Sequence, residues 1–77
     1  MRVNVIKIGS PNTIVEVNDG ATFADCVNSL PAEYQGNYLR YLNDVQVTTD
    51  GQPGTYAPTQ QLAEGDVIAF TMKVKGG

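Results

Sequence analysis

The chain has no histidine and a single cysteine, Cys26, in 77 residues. These two scarcities remove much of the usual catalytic and metal chemistry. One thiol cannot close an internal disulfide, which agrees with a reducing compartment. A metal centre would have to rest on carboxylates, and these are scattered without the spacing of a calcium-binding loop. As a nucleophile, Cys26 would need a depressed pKa and a nearby base, and no imidazole is available to supply one. Long hydrophobic runs are also missing, so neither a transmembrane helix nor a signal-peptide core is expected, and the expected location is cytoplasmic. Positive charge is sparse. Five Lys and Arg stand against eight Asp and Glu, for a net charge of −3. That balance argues against nucleic acid as the main partner. No repeat, linker, low-complexity tract or phosphate-cradling loop breaks the chain.

What is present is enough for one small core. Hydrophobic residues make up 42% of the chain and charged residues only 17%. The length places it near the limit at which a single core sustains folding. Val3-Asn4-Val5-Ile6-Lys7-Ile8 is β-branched and partly alternating, the pattern of a strand. Gly9-Ser10-Pro11-Asn12 then breaks it, and Thr13-Ile14-Val15-Glu16-Val17 resumes it, so the start reads as a β-hairpin. Val15 and Val17 should share one side, with Glu16 on the other.

The period changes after Asn18-Asp19-Gly20. Thr22 can cap a helix, with Asp25 three residues later closing an approximate capping box. Phe23, Cys26, Val27 and Leu30 fall at i, i+3, i+4 and i+7, one helical face. Cys26 is therefore read as a small core residue. Pro31 closes the segment at about two turns, a length that is marginal without packing on a sheet. Residues 31–37 read as a loop.

Tyr38 to Leu42 has strand composition, with either parity able to face inward, and Asn43-Asp44 is a tight turn into Val45-Gln46-Val47. Thr48 to Thr59 contains Asp50-Gly51 and Pro53-Gly54 and is expected to be irregular and exposed. Leu62 anchors a turn at Ala63-Glu64-Gly65-Asp66. A last strand runs from Val67 to about Val74, with Ile68 and Phe70 against the helix. The order is strand, strand, helix, strand, weak strand, strand. One helix on one face of a mixed sheet is an economical α+β solution for so short a chain. Tyr34, Tyr38, Tyr41 and Tyr56 suit either a binding surface or partial burial with a wet hydroxyl.

The end of the chain is the most distinctive segment. Lys73-Val74-Lys75-Gly76-Gly77 follows directly on the last strand. Gly is ~7% of average sequences, so two in succession arise by chance at a given point in ~0.5% of cases. Gly has no side chain to pack and loses the most backbone entropy when fixed, so no fold needs this ending. A frayed end or an expression scar is the plain alternative. Five extended residues span at most ~18 Å, enough for a body outside an enzyme channel to place Gly77 inside it.

The strand order, the Leu62…Glu64-Gly65-Asp66 turn, the Val67-Ile68-Ala69-Phe70 strand and the terminal Gly-Gly together resemble the ubiquitin-like β-grasp superfamily. The closest pattern is that of the small bacterial sulfur carriers of the ThiS/MoaD type. The basic-apolar-basic-Gly-Gly tail is similar to that of ubiquitin. Two departures stand out: Thr71-Met72-Lys73 replaces the prolines frequent in MoaD-type carriers, and Leu42-Asn43 replaces their Val-Asn hairpin. The resemblance implies a β-grasp body over residues 1–72, with a four- or five-stranded mixed sheet on one helix, and a flexible tail over 73–77.

It also implies a function. The Gly77 carboxylate would be adenylated by an E1-like (MoeB/ThiF-like) enzyme using ATP and Mg²⁺, with no cofactor on this chain and no enzymatic activity of its own. Sulfur would then be carried as a thiocarboxylate to a downstream acceptor enzyme. The alternative is a bacterial ubiquitin-like modifier passed to an E2-like enzyme and joined through Gly77 to target lysines. A β-grasp interaction module with an inert tail is a third possibility. Lys73, Val74, Lys75 and Gly76 would thread into the activating enzyme, and Ala69 and Thr71, on the exposed face of the last strand, would dock on it. Neither nucleic acid nor membrane is implied as a partner.

Overall fold

Alternation of β-branched residues sets the first hairpin. The computed structural model describes residues 1–72, and the expected tail, 73–77, lies outside them. Strand β1, Arg2–Lys7, pairs antiparallel with β2, Thr13–Glu16, in a register that sets Val3 opposite Val15. Val3 and Val5 are buried, Val15 and Val17 pack against the core, and Glu16 is exposed, as the parity predicts.

Helix α1, Phe23–Asn28, begins as its cap dictates. The Asp25 amide donates to Thr22 Oγ1 at 3.1 Å, and the Thr22 amide donates to Asp25 Oδ2 at 3.0 Å. The box satisfies two groups the first turn leaves unpaired. Two more N-terminal amides find carbonyls in the long loop: Phe23 donates to Gln60 O and Ala24 to Pro58 O, both within 2.9 Å. The helix is shorter than two turns because Ser29 stops it. The Ser29 N–H and hydroxyl both turn back to the Cys26 carbonyl, and Gln35 Nε2 covers the carbonyls of Val27 and Leu30 at 2.7 and 3.2 Å. Leu30 lies beyond the helix but still enters the core with Phe23, Cys26 and Val27.

The segment read as a loop contains a 3-10 turn, Ala32–Tyr34. Tyr34 is buried, its ring 5.6 Å from Phe70 in an edge-on contact. A pattern that looks for period sees no signal in one inward residue on a short turn. Strand β3, Tyr38–Leu42, then makes a tight turn into β4, Val45–Gln46, through Asn43 and Asp44, both at positive φ (50° and 68°). That is the primed-turn geometry that Asn and Asp tolerate. Asn43 also fastens the next strand. Its Oδ1 accepts from the Val67 amide and its Nδ2 donates to Asp66 Oδ1, each at 3.0 Å.

The expected irregular stretch, 48–59, has no regular element but is only partly exposed. The Tyr56 amide ties it to β4 by donating to Gln46 O, and within the stretch the Thr48 amide donates to Tyr56 O, both 2.9 Å. Tyr56 packs on the core. The Ala63–Asp66 turn is closed by Asp66 Oδ2, which accepts from the Ala63 amide at 2.8 Å. Gly65 there has φ +83°, a conformation that a side chain would strain.

Strand β5, Val67–Met72, takes the centre of a five-stranded mixed sheet of order β2-β1-β5-β3-β4. It runs parallel to β1 and antiparallel to β3. The open parity question resolves through this register. Arg40 pairs with Phe70 and Leu42 with Ile68, so Tyr38, Arg40 and Leu42 face the helix. Ile68 and Phe70 are buried to 1% or less, as expected. The result is a small α+β domain with its core between the helix and one sheet face. No described helix is long and apolar enough to cross a membrane.

Candidate functional site

The other face of the same sheet carries none of the buried hydrophobic residues. Its positions follow from the registers. Ala69 pairs with Ile6 on one side and Tyr41 on the other, and Thr71 pairs with Leu39. Ile14 lies opposite Asn4 on the same face, and Ile8 extends the alternation of Ile6. Ile6, Ile8 and Ile14 are 38%, 56% and 63% exposed, while Leu39, Tyr41, Val67, Ala69 and Thr71 are half-buried by their neighbours. Small residues at the centre and isoleucines toward one side make a shallow apolar surface.

Sheet geometry alone places these groups. β5 is central, so Ala69 has strands on both sides, while Thr71 lies past the end of β1 and is paired on the β3 side alone. The two predicted docking residues therefore belong to one surface with five or more apolar neighbours that sequence reasoning missed. A signal was present. With Val3 and Val5 inward, the same alternation sends Ile6 and Ile8 outward, and an apolar residue at a solvent position is the anomaly to notice. The tail residues Lys73, Val74, Lys75, Gly76 and Gly77 lie outside the described residues.

The chemistry this face can perform is recognition. Covering an isoleucine contributes roughly 1.5–3 kcal/mol when its burial is complete, and such patches mark contact surfaces. Charge is confined to one end, where Arg2 Nε approaches Glu16 Oε1 at 3.8 Å with both side chains largely exposed. A pair of that kind adds little.

Elsewhere the candidate groups are engaged in structure. Cys26 is fully buried, and burial pushes its thiol pKa up, opposite to what a nucleophile needs. Tyr34 and Tyr38 both meet Phe70 edge-on, and the Lys7 ammonium sits over their rings at 5.9 and 5.1 Å. The tyrosines thus divide: Tyr34, Tyr38 and Tyr56 serve the core, and Tyr41 serves the open face. Among the described residues no group of three or more Cys, Asp or Glu is placed to hold a metal ion. Comparison with known families, curated proteins and solved structures finds no match to this chain.

Proposed function

We propose that this protein is a ubiquitin-like β-grasp carrier whose Gly77 carboxylate is activated by an E1-like adenylating enzyme and carries sulfur as a thiocarboxylate. The observation that carries the reading is the apolar open face centred on Ala69 and Thr71, on the strand that leads toward the Gly-Gly tail. Support also comes from the arrangement of one helix on a mixed sheet with its last strand central, which fits the β-grasp order that the sequence resembles.

The division of labour follows from the chemistry. A carboxylate is a poor electrophile, so its oxygen attacks the α-phosphorus of ATP and pyrophosphate leaves. A persulfide sulfur then attacks the acyl carbon and AMP departs. Cleavage of the resulting acyl disulfide by a thiol leaves the thiocarboxylate on Gly77. The carrier contributes the acyl group and the surface that positions it; the base, metal and nucleotide belong to the enzyme.

The test uses the full chain with an E1-like enzyme, Mg-ATP and a persulfide source, read by intact mass. A carrier gains the mass of one oxygen-to-sulfur exchange, and a variant lacking Gly77 gains nothing. Higher-mass bands that resist amines and vanish with Gly77 would replace sulfur transfer by conjugation to lysines, through the same E1-like activation and an E2-like enzyme. Absence of both products would end the reading of Gly77 as an activated group.

A further inference from the structure

Arg40 has a place in the fold that the open face does not explain. Its side chain is on the helix side of β3, between Tyr38 and Leu42. Its Nε is buried and has no hydrogen-bond partner. The ion pairs among the described residues are Met1–Asp19 and Arg2–Glu16, so no carboxylate there meets the Arg40 guanidinium. Residues 1–72 hold eight carboxylates and only three basic side chains, Arg2, Lys7 and Arg40. An arginine left unmatched in so acidic a body is unusual, since a buried donor without an acceptor is unfavourable.

Two cavities flank this side chain and share Arg40, Val47, Thr48 and Thr49 in their walls. The first, about 220 Å³, lies against α1 and has apolar walls from Phe23, Val27 and Pro58. The second, about 360 Å³, follows the β3–β4 edge past Asn37 and Gln46 to Asp50. The two meet at Arg40, Val47, Thr48 and Thr49, with Phe23, Val27 and Pro58 in the walls of one and Asn37, Gln46 and Asp50 in the walls of the other.

We infer that this groove binds an extended peptide segment of a partner protein, with one Asp or Glu side chain on Arg40 and a neighbouring apolar side chain in the cavity beside Phe23 and Val27. Arg40 Nε itself is closed off from solvent, and the outer guanidinium N–H groups, which meet no partner among the described residues, are the ones a peptide carboxylate would pair with. The side chains of Thr49, Asn37 and Gln46 offer hydrogen bonds to a peptide backbone, whereas the Thr48 hydroxyl is already held by Gln52 and Thr55. The acidic body and Asp50 at the far end repel polyanions, so nucleic acid and polyphosphate are excluded by charge while a single carboxylate is admitted. The site starts on the helix side of β3 at Arg40 and reaches around to Leu39 and Gln46, and its test does not depend on the chemistry proposed at Gly77.

An amide NMR titration of the full chain tests it. The probe is a capped pentapeptide of alanine, leucine, glutamate, leucine and alanine, and the control has glutamine in place of glutamate. The expected result is saturable shifts at Arg40, Val47 to Thr49 and the Ala24–Val27 stretch in the millimolar range, with the control at least about tenfold weaker. Arg40→Gln should weaken the acidic peptide to the level of the control. Thr49→Asp, at an exposed position outside the core, should weaken binding without disturbing the spectrum elsewhere, and so covers the case in which Arg40→Gln fails to fold. Equal binding of both peptides, no shifts, or the same shifts with inorganic phosphate alone would each overturn the inference.

Discussion

The two faces of the sheet are built from the same strands and alternate residues, yet they obey different rules. On the helix side Val3, Val5, Ile68 and Phe70 are buried to 1% or less, and Tyr34, Leu42 and Leu62 close around them. On the other side Ile6, Ile8 and Ile14 remain 38–63% exposed. A sheet with one wet face normally carries polar residues there. Here apolar side chains persist where they add nothing to the core, which is the feature the proposed docking would use. The helix-side face holds the core, and the open face leaves its isoleucines accessible.

That contrast can be broken most forcefully at Phe70. Phe70→Ala removes the ring that Tyr34 and Tyr38 pack against and should cost about 3–5 kcal/mol, a large part of the stability of so small a domain. Urea denaturation measures it, and a loss under about 1 kcal/mol would mean that the helix-side core is not organised around this ring. One residue earlier, on the opposite face, Ala69→Asp sets a carboxylate at a half-buried strand position between Ile6 and Tyr41 and should cost about 1 kcal/mol, well below the Phe70 loss. It should lower kcat/KM for ATP–pyrophosphate exchange by the activating enzyme at least about tenfold. A variant that folds and is activated normally would remove the open face from the proposed docking.

Cys26 sharpens the comparison through pH. Burial raises its thiol pKa in the folded state, so the folded protein holds this proton after the unfolded chain has released it at about pH 8.5. The associated stability is complete below that pH and is lost as pH rises toward the folded pKa, with a slope of at most ~1.4 kcal/mol per pH unit. Urea midpoints of Cys26→Ala should fall less steeply than those of the natural chain above that pH. Identical slopes would show the thiol to be less enclosed than its position implies. A change of similar or smaller size is expected at the helix cap. Thr22→Ala removes the acceptor of the Asp25 amide and should cost about 1 kcal/mol. Smallest of all, Glu16→Gln at the exposed Arg2 pair should shift stability by less than about 0.5 kcal/mol, an effect that salt screens further.

Much of this architecture was legible because it is local. The Thr22–Asp25 box, the inward face of Phe23, Cys26, Val27 and Leu30, the Asn43-Asp44 turn and the Asp66 turn each rest on residues within a few positions of one another. The helix end was less legible, because Gln35 reaches back eight residues to the Val27 carbonyl and no spacing rule announces that bond. Tyr34 was missed for a related reason. Its burial depends on Phe70, thirty-six residues away, arriving beside it.

Sequence alone determined the turns, the cap, the inward parity of the first and last strands and the choice of an α+β arrangement, because each follows from bond geometry and the period of apolar residues. Tertiary structure decided what depends on neighbours from distant parts of the chain. The inward parity of Tyr38 to Leu42 waited for β5 to set the register. Ala69 became the centre of an apolar surface only once Ile6 and Tyr41 flanked it. Arg40 became an unmatched donor only when a sheet and a loop closed around it with no carboxylate of the described residues in reach. A surface or a groove is a property of strands brought side by side, and pairing at long range is what a linear pattern does not encode locally.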